Sequence, residues 1–257
     1  MQDTKFIAII PARYASTRFP GKPLALLGGK PVLQRVVEQV RKAGIEAVVA
    51  TDDTRISDAM EALGIRCIMT STEHKSGTDR IEEAARKLNT DADVIINVQG
   101  DEPFILPEQI HALMQCFDNA DTRIATLAKE FDPELGFDAI FSPNLVKVTF
   151  SDKGKALYFS RSIIPYIRNA HHTEWLNSSK FFTHIGMYAY RRQTLSEITK
   201  LPQSTLEKAE SLEQLRWLQN GYDIQVAVTK TDTVGIDTPE DLAEAEKFLL
   251  KHKETFV

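Results

Sequence analysis

Four short apolar runs, Phe6–Ile10, Ala47–Thr51, Arg66–Met69 and Val94–Val98, alternate with amphipathic segments in the N-terminal part of the chain. No other feature restricts the fold as much. Short runs that are apolar on both faces are stable only in a sheet covered by helices, so the pattern predicts βα units feeding a mostly parallel sheet.

Pro31 opens the first expected helix, where Val32, Leu33, Val36, Val37 and Val40 recur at helical spacing and Gly44 follows the end. Further helices are expected over 54–63, 79–88 and 107–117. After Ala120 the rhythm changes, and strand-like pieces at 124–128, 146–150, 156–159 and 186–190 are separated by polar loops. This region reads as added mixed or antiparallel strands. Helical pattern returns at 192–198 and 212–218, Ile224–Val228 reads as a strand, and Thr238-Pro239-Glu240-Asp241 opens a last amphipathic helix. The expected class is α/β, a mostly parallel sheet flanked by helices with an added strand region. Its expected segments are 1–120, 121–190 and 191–257.

A formal charge of -5 over 257 residues leaves no global basic field, so nucleic acid is not an expected partner. The apolar stretch at Phe6–Ile10 stops at Pro11 and Arg13, too short to span a bilayer, so no membrane insertion and a cytoplasmic location are expected. Cys67 and Cys116 lack C-x-x-C spacing and are expected as buried filler. His171-His172 has no nearby carboxylate or cysteine to complete a metal set.

Chemistry concentrates in the junctions after the strands. The stretch from Pro11 to Pro23 is long for a βα loop and carries Arg13, Arg18 and Lys22 with the hydroxyls of Ser16 and Thr17. At the carboxyl end of a strand, such a loop suits a polyphosphate, since cations and forked guanidinium bonds match phosphate oxygens. Neither G-x-x-x-x-G-K-[ST] nor G-x-G-x-x-G occurs. Asn97-Val-Gln-Gly-Asp-Glu-Pro103 brings Asp101 and Glu102 to the same edge, where a carboxylate can hold magnesium against phosphates; read as local structure, it is a turn. In Gly235-Ile-Asp-Thr-Pro-Glu-Asp241, helix capping accounts for every residue except Asp237. His74-Lys-Ser-Gly-Thr-Asp-Arg80 offers small and hydroxyl residues before a helix, a candidate pocket for a base or anion.

Together with Ala50-Thr-Asp52, Tyr158-Phe-Ser-Arg161, His184-Ile-Gly-Met-Tyr188 and Leu212-Glu-Gln-Leu-Arg216, these stretches resemble the cytidylyltransferases that activate 3-deoxy-manno-octulosonate (Kdo), the CMP-Kdo synthetases. The resemblance runs over nearly the whole chain. It implies that Arg13, Ser16, Arg18 and Lys22 bind the CTP triphosphate and that Ser76, Gly77, Arg80 and Gln99 lie around the cytidine. Asp101 and Asp237 would bind Mg2+, and Arg13, Lys22, Asp101 and Asp237 would form the catalytic set. Arg161, His184, Tyr188, Glu213 and Gln214 would line the sugar-acid pocket. By themselves Glu213 and Gln214 read as a solvated helix face and Tyr188 as an ordinary strand aromatic.

The same resemblance makes 1–120 the nucleotide-binding half, 121–190 the region for sugar binding and homodimer formation, and 191–257 the completion of the α/β domain. It implies CTP and a Kdo-type sugar acid as partners, and a place in lipopolysaccharide biosynthesis. Ile164-Pro-Tyr-Ile-Arg168 departs from the family's usual isoleucine-proline-tryptophan-aspartate-arginine, so Kdo and its 8-amino analogue both stand as the sugar. A hexose 1-phosphate nucleotidyltransferase is the further enzymatic alternative, but its Gly-x-Gly first loop is missing. A catalytically silent nucleotide-binding module is the alternative from another class, and the carboxylates at Asp101 and Asp237 argue against it.

Overall fold

The computed structural model describes residues 4–231 and 234–256 of the chain. In chain order its strands are β1 (Phe6–Ala12), β2 (Leu26–Leu27), β3 (Lys30–Pro31), β4 (Glu46–Thr51), β5 (Cys67–Met69), β6 (Val94–Asn97), β7 (Ile124–Glu130), β8 (Lys147–Phe150), β9 (Ala156–Ser160), β10 (Phe182–Arg191) and β11 (Ile224–Thr229). The α-helices are α1 (Val32–Lys42), α2 (Thr54–Glu61), α3 (Gly77–Leu88), α4 (Pro107–Gln115), α5 (Phe137–Phe141), α6 (Trp175–Ser178), α7 (Arg192–Ile198), α8 (Thr205–Glu210), α9 (Gln214–Gln219), α10 (Pro239–Lys251) and α11 (Lys253–Phe256). The architecture is mixed α/β, with a mostly parallel sheet flanked by helices and extended by antiparallel strands, as the alternating pattern predicts.

The described residues fall into two compact units, one drawn from Met1–His111, Ala189–Thr199 and Thr233–Val257, the other from Ala112–Tyr188 and Lys200–Asp232. The segment read as 191–257 therefore divides between them. β10 runs from the second unit into the first.

In the first unit β1 pairs in parallel with β4 and β6, and β4 with β5. Ile7, Ala8, Ile9 and Ile10 are all buried, and so are Val94, Ile95 and Ile96 beside them. Covered on both faces, such strands need continuous apolar sequence. β1 does not stop at Pro11, as the sequence suggests, but continues through it to Ala12 opposite Thr51. The reason lies in the register: β6 accompanies β1 only from Phe6 to Ile9, so Pro11, which lacks an N–H, has β4 alone alongside. A second apolar cluster joins Leu27, Val32, Phe104, Ile236, Ala245, Leu249 and Phe256. Buried Arg35 ties it together by donating to the carbonyls of Leu27 at 2.6 Å, Gly28 at 3.0 Å and Phe256 at 3.4 Å.

In the second unit β11 pairs in parallel with β7, while β8 is antiparallel to both β9 and β10. Phe131, Ile140, Trp175 and Phe181 make its separate apolar cluster. Other departures from the sequence reading are local. α3 begins at Gly77 because Ser76, not a later residue, supplies the cap. The helix opened by Pro107 ends at Gln115 and tightens into a 3-10 turn over Cys116–Asp118. Cys67 and Cys116 are half-buried rather than enclosed, and burial pushes both thiols up to about 11, so they are protonated and inert near neutral pH.

Candidate active site

At the end of β1 the chain leaves the sheet and folds back on itself, with the Gly21 N–H donating to the Tyr14 carbonyl at 2.9 Å. The Tyr14 ring carries the Arg55 guanidinium 3.4 Å from its centroid, and both Asp53 carboxylate oxygens grip that guanidinium at 2.8 and 2.6 Å. The start of α2 thus stiffens the outer rim of the loop. On the inner side a β-carbon at Gly100 would lie 2.7 Å from the Pro11 carbonyl oxygen, an approach open only to glycine. These constraints leave a cleft of about 520 Å3, lined by Arg13, Ser16, Arg18 and Lys22 of the loop, Lys75, Gly77 and Arg80 around the start of α3, Gln99 and Asp101 after β6, and Asp237 before α10.

Two acidic segments far apart in sequence meet in this cleft. The Asp101 carbonyl accepts the Ile236 N–H at 2.9 Å. The Lys22 ammonium then donates to Asp101 Oδ2 at 2.6 Å and Asp237 Oδ1 at 3.1 Å, while Arg18 Nη2 lies 3.2 Å from Asp237 Oδ2. Capping of α10 is carried by other groups: the Thr238 hydroxyl accepts the Asp241 N–H at 3.1 Å, and Asp241 Oδ2 accepts the N–H groups of Asp237 and Thr238, each at 2.9 Å. The Asp237 carboxylate is therefore left to face the cations. Burial, with the Asp101 charge adding to it, pushes the Glu102 carboxyl up to about 8, so near pH 7 Glu102 is mostly protonated.

Two carboxylate oxygens converging on one cation are a donor set that suits Mg2+, which takes one or two protein carboxylates and completes its octahedron with phosphate oxygens and water. Among the described residues, no group of three or more His, Cys, Asp or Glu side chains gathers as a metal cluster, so the protein's share of a metal site here would be the two aspartates.

The floor of the cleft is built on α3. Ser76 caps that helix by accepting the Asp79 N–H at 3.1 Å, so its hydroxyl is committed to the helix start while Gly77 and Arg80 line the cleft. Arg80 is fully buried and donates to Thr70 Oγ1 at 2.5 Å and Asp52 Oδ2 at 2.6 Å, partners that follow β5 and β4. Arg13 donates to the His74 carbonyl, and the His74 ring meets the Glu83 carboxylate. Burial alone would raise the Glu83 pKa. Hydrogen bonds from Lys87, the Ser71 N–H and His74, with the Lys87 charge, outweigh it and hold the carboxyl at about 2.

The second unit holds the residues expected for the sugar. His184 Nε2 lies 2.9 Å from Thr126 Oγ1, and that hydroxyl in turn donates to the Met187 carbonyl at 2.9 Å. The pattern assigns the proton to Nε2. Burial lowers the imidazolium to about 3, so the ring is neutral. It packs 5.0 Å from Phe159 and 5.3 Å from Tyr188, whose ring meets Trp217 edge-on at 5.2 Å. Glu213 lies 3.5 Å from Arg216, itself held by both Glu207 oxygens at 2.8 and 2.5 Å, and Gln214 is buried. The solvated-face reading of Glu213 and Gln214 does not hold. Arg161 donates through Nε to the Glu210 carbonyl at 2.7 Å and through Nη1 to the Pro143 carbonyl at 2.9 Å. The His171 and His172 rings lie tilted 4.1 Å apart, His172 against Phe137.

Residues 7–224 match the cytidylyltransferase family. The 3-deoxy-manno-octulosonate cytidylyltransferase of Parabacteroides distasonis is 59% identical over 246 residues, covering 95% of this chain and 98% of the relative. This chain belongs to that family. The corresponding protein of Phocaeicola vulgatus is 58% identical over 245 residues, covering 95% of this chain and 97% of the relative. A solved structure of CMP:2-keto-3-deoxy-manno-octonic acid synthetase complexed with CTP matches with a TM-score of 0.88 at 41% identity, covering 96% of this chain and 99% of that one.

For this cytidylyltransferase the resemblance drawn from the sequence is borne out at the level of family and fold. Sequence reasoning passed over Lys75 as a cleft residue and gave no role to Asp52, Thr70, Glu83 or Glu210. For Asp52 a signal was present, since a carboxylate directly after an apolar strand has to find a partner when the next layer covers it.

Proposed function

We propose that the protein joins the CMP group of CTP to 3-deoxy-manno-octulosonate. The anomeric oxygen attacks the α-phosphorus, the bond from that phosphorus to the bridging oxygen breaks, and diphosphate leaves with that oxygen. The anomeric hydroxyl's proton passes to solvent. One observation carries this reading: a cationic loop closes on two convergent carboxylates, with Lys22 held between Asp101 and Asp237.

Arg13, Ser16, Arg18 and Lys22 bind the triphosphate, and their charges offset the repulsion between two anionic reactants. Gly77, Arg80 and Gln99 surround the cytidine, with Ser76 fixing the helix start beneath it. Asp101 and Asp237 hold Mg2+, which when bound neutralises phosphate charge and stabilises the entering and leaving oxygens. Arg161 takes the sugar carboxylate, while neutral His184, Tyr188, Glu213 and Gln214 hold hydroxyls. Orientation of the two reactants then supplies the remaining acceleration.

The departure at Ile164–Arg168 keeps the 8-amino analogue as a second sugar. Exposed Leu135, Phe141, Leu157 and Tyr166 of the second unit support a homodimer built through it. A cytoplasmic place in lipopolysaccharide assembly completes the reading. A diphosphate-release screen of the nucleoside triphosphates against Kdo, 8-amino-Kdo and a hexose 1-phosphate tests it. Release with CTP and Kdo or its 8-amino analogue is expected; release only with a sugar 1-phosphate would overturn it.

A further inference from the structure

The Arg161 guanidinium is fixed in an unusual way for an anion-binding group. Its donors go to neutral main-chain carbonyls: Glu210 at 2.7 Å, Pro143 at 2.9 Å and, as a long contact, Ser211 at 3.5 Å. A guanidinium has five N–H donors, so about two stay uncommitted. The Glu210 carboxylate grips the main chain of Arg161 instead. Glu210 Oε2 accepts the Arg161 amide N–H at 2.9 Å, and Oε1 accepts the Ser160 hydroxyl at 2.7 Å.

The surrounding backbone is built to the same end. Glu210 closes α8, and Ser211 follows it in the left-handed region at φ +53, a conformation rare outside glycine and held only where the surroundings demand it. That corner presents the carbonyls of residues 210 and 211 side by side. From the other direction fully buried Lys147 donates to the carbonyls of Ser142 at 3.0 Å, Leu145 at 2.6 Å and Arg161 at 2.5 Å, tying the turn that carries the Pro143 carbonyl to residue 161.

We propose that Glu210 is a positioning residue of the sugar-acid site, setting the plane of the Arg161 guanidinium while leaving its charge unpaired for a substrate carboxylate. A carboxylate placed on the guanidinium itself would compete with the substrate. Bonding the amide with the side chain and the guanidinium with the carbonyl orients the group without that competition. The inference rests on the reading of Arg161 as the partner of the sugar carboxylate.

The test uses the full chain and measures turnover with varied sugar acid, CTP affinity by calorimetry, and melting temperature. Glu210→Ala is expected to raise KM for the sugar acid roughly tenfold or more, about the loss from one charge-assisted hydrogen bond, with CTP affinity within about twofold of wild type. Glu210→Gln keeps both bonds if the Ser160 hydroxyl reverses, so it is expected to recover most of that loss. In an Arg161→Ala background the effect of Glu210→Ala on sugar KM is expected to vanish. Additive effects in that double variant, a Glu210→Ala variant with unchanged sugar KM, or no effect of Arg161→Ala would each overturn the proposal. Wild-type turnover of the sugar acid, measured alongside, tests the functional reading separately.

Discussion

The Lys22 ammonium sits 2.6 Å from the Asp101 carboxylate and reaches Asp237 with a second donor, so an internal cation stands where the acidic pair converges. On the proposed reading, a divalent metal would compete with Lys22 for the same oxygens until a polyphosphate drew the lysine away. Replacing Lys22 with Met is expected to strengthen Mn2+ binding in the absence of nucleotide while weakening CTP turnover. Calorimetric titration with Mn2+ checks the first part. Metal affinity equal to wild type would show that the lysine does not occupy the metal's place.

Asp237 and Thr238 are neighbours with separable duties. Asp237→Asn and Asp101→Asn are each expected to keep the fold and raise the Mg2+ concentration needed for turnover. Thr238→Ala should lower stability by about 1 kcal/mol through loss of the cap, with turnover of the folded enzyme near wild type. Melts and Mg2+ titrations on the same preparations separate them; an unchanged Mg2+ requirement in both aspartate variants would reject the metal assignment.

Asp52 lies 2.6 Å from the buried Arg80 guanidinium. Removing one partner of a buried pair leaves a charge uncompensated, at a cost of about 3–5 kcal/mol. Asp52→Ala is expected to melt far below wild type and to lose CTP affinity as the floor of the cleft shifts. A melting temperature within a few degrees of wild type, about what 1 kcal/mol produces in a chain of this size, would mean that Arg80 finds another partner.

The acid side of the stability profile follows from His184 and Glu83. His184 is depressed from 6.5 to about 3 and Glu83 from 4.5 to about 2. In both cases the unfolded chain binds the proton first, so stability is full above the ordinary pKa and falls as pH drops toward the folded value. Denaturant melts should weaken from about pH 6.5 downward, more steeply below about 4.5, and Glu83→Gln should flatten the lower part. Ring NMR of His184 should show a neutral Nε2–H tautomer from pH 8 to 5, whereas a midpoint near 6.5 would contradict the depressed pKa.

Much of the first unit was legible because its strands are continuous apolar runs and its junctions are dense in charge. The long loop at residues 11–23, the turn at Asp101 and the unexplained Asp237 were each visible locally. Their convergence at one sheet edge was expected from the strand and helix alternation, and the parallel register of β1, β4 and β6 agrees with it; the bridging of Asp101 and Asp237 by Lys22 was not, since no spacing rule sets which side chains meet. β10 runs four residues earlier than the expected start at Gly186 because Phe182 and Thr183 alternate weakly and gain order from pairing with β8. α8 was overlooked although Ser204 and Glu207 spell a capping box, since six residues carry too little apolar periodicity to register. The buried Arg80–Asp52 pair and the Glu210 grip on Arg161 join residues on different elements, and no spacing rule finds such partners.

The clamp of Arg35 on the Phe256 carbonyl, and the bond from Ile236 to Asp101, have a consequence for how the protein is made. On the ribosome β1, the loop at residues 11–23 and Asp101 emerge early, but the cluster that closes over Leu27 and Phe104 waits for Ile236, Leu249 and Phe256. Until those residues arrive, the nascent chain holds a cationic loop with half of its acidic counterpart. A chain truncated before α10 would keep the βα strands yet expose Leu27, Val32 and Phe104, making it a substrate for chaperones and proteases. Quality control and completion of the cleft are thereby tied to the same late step of synthesis.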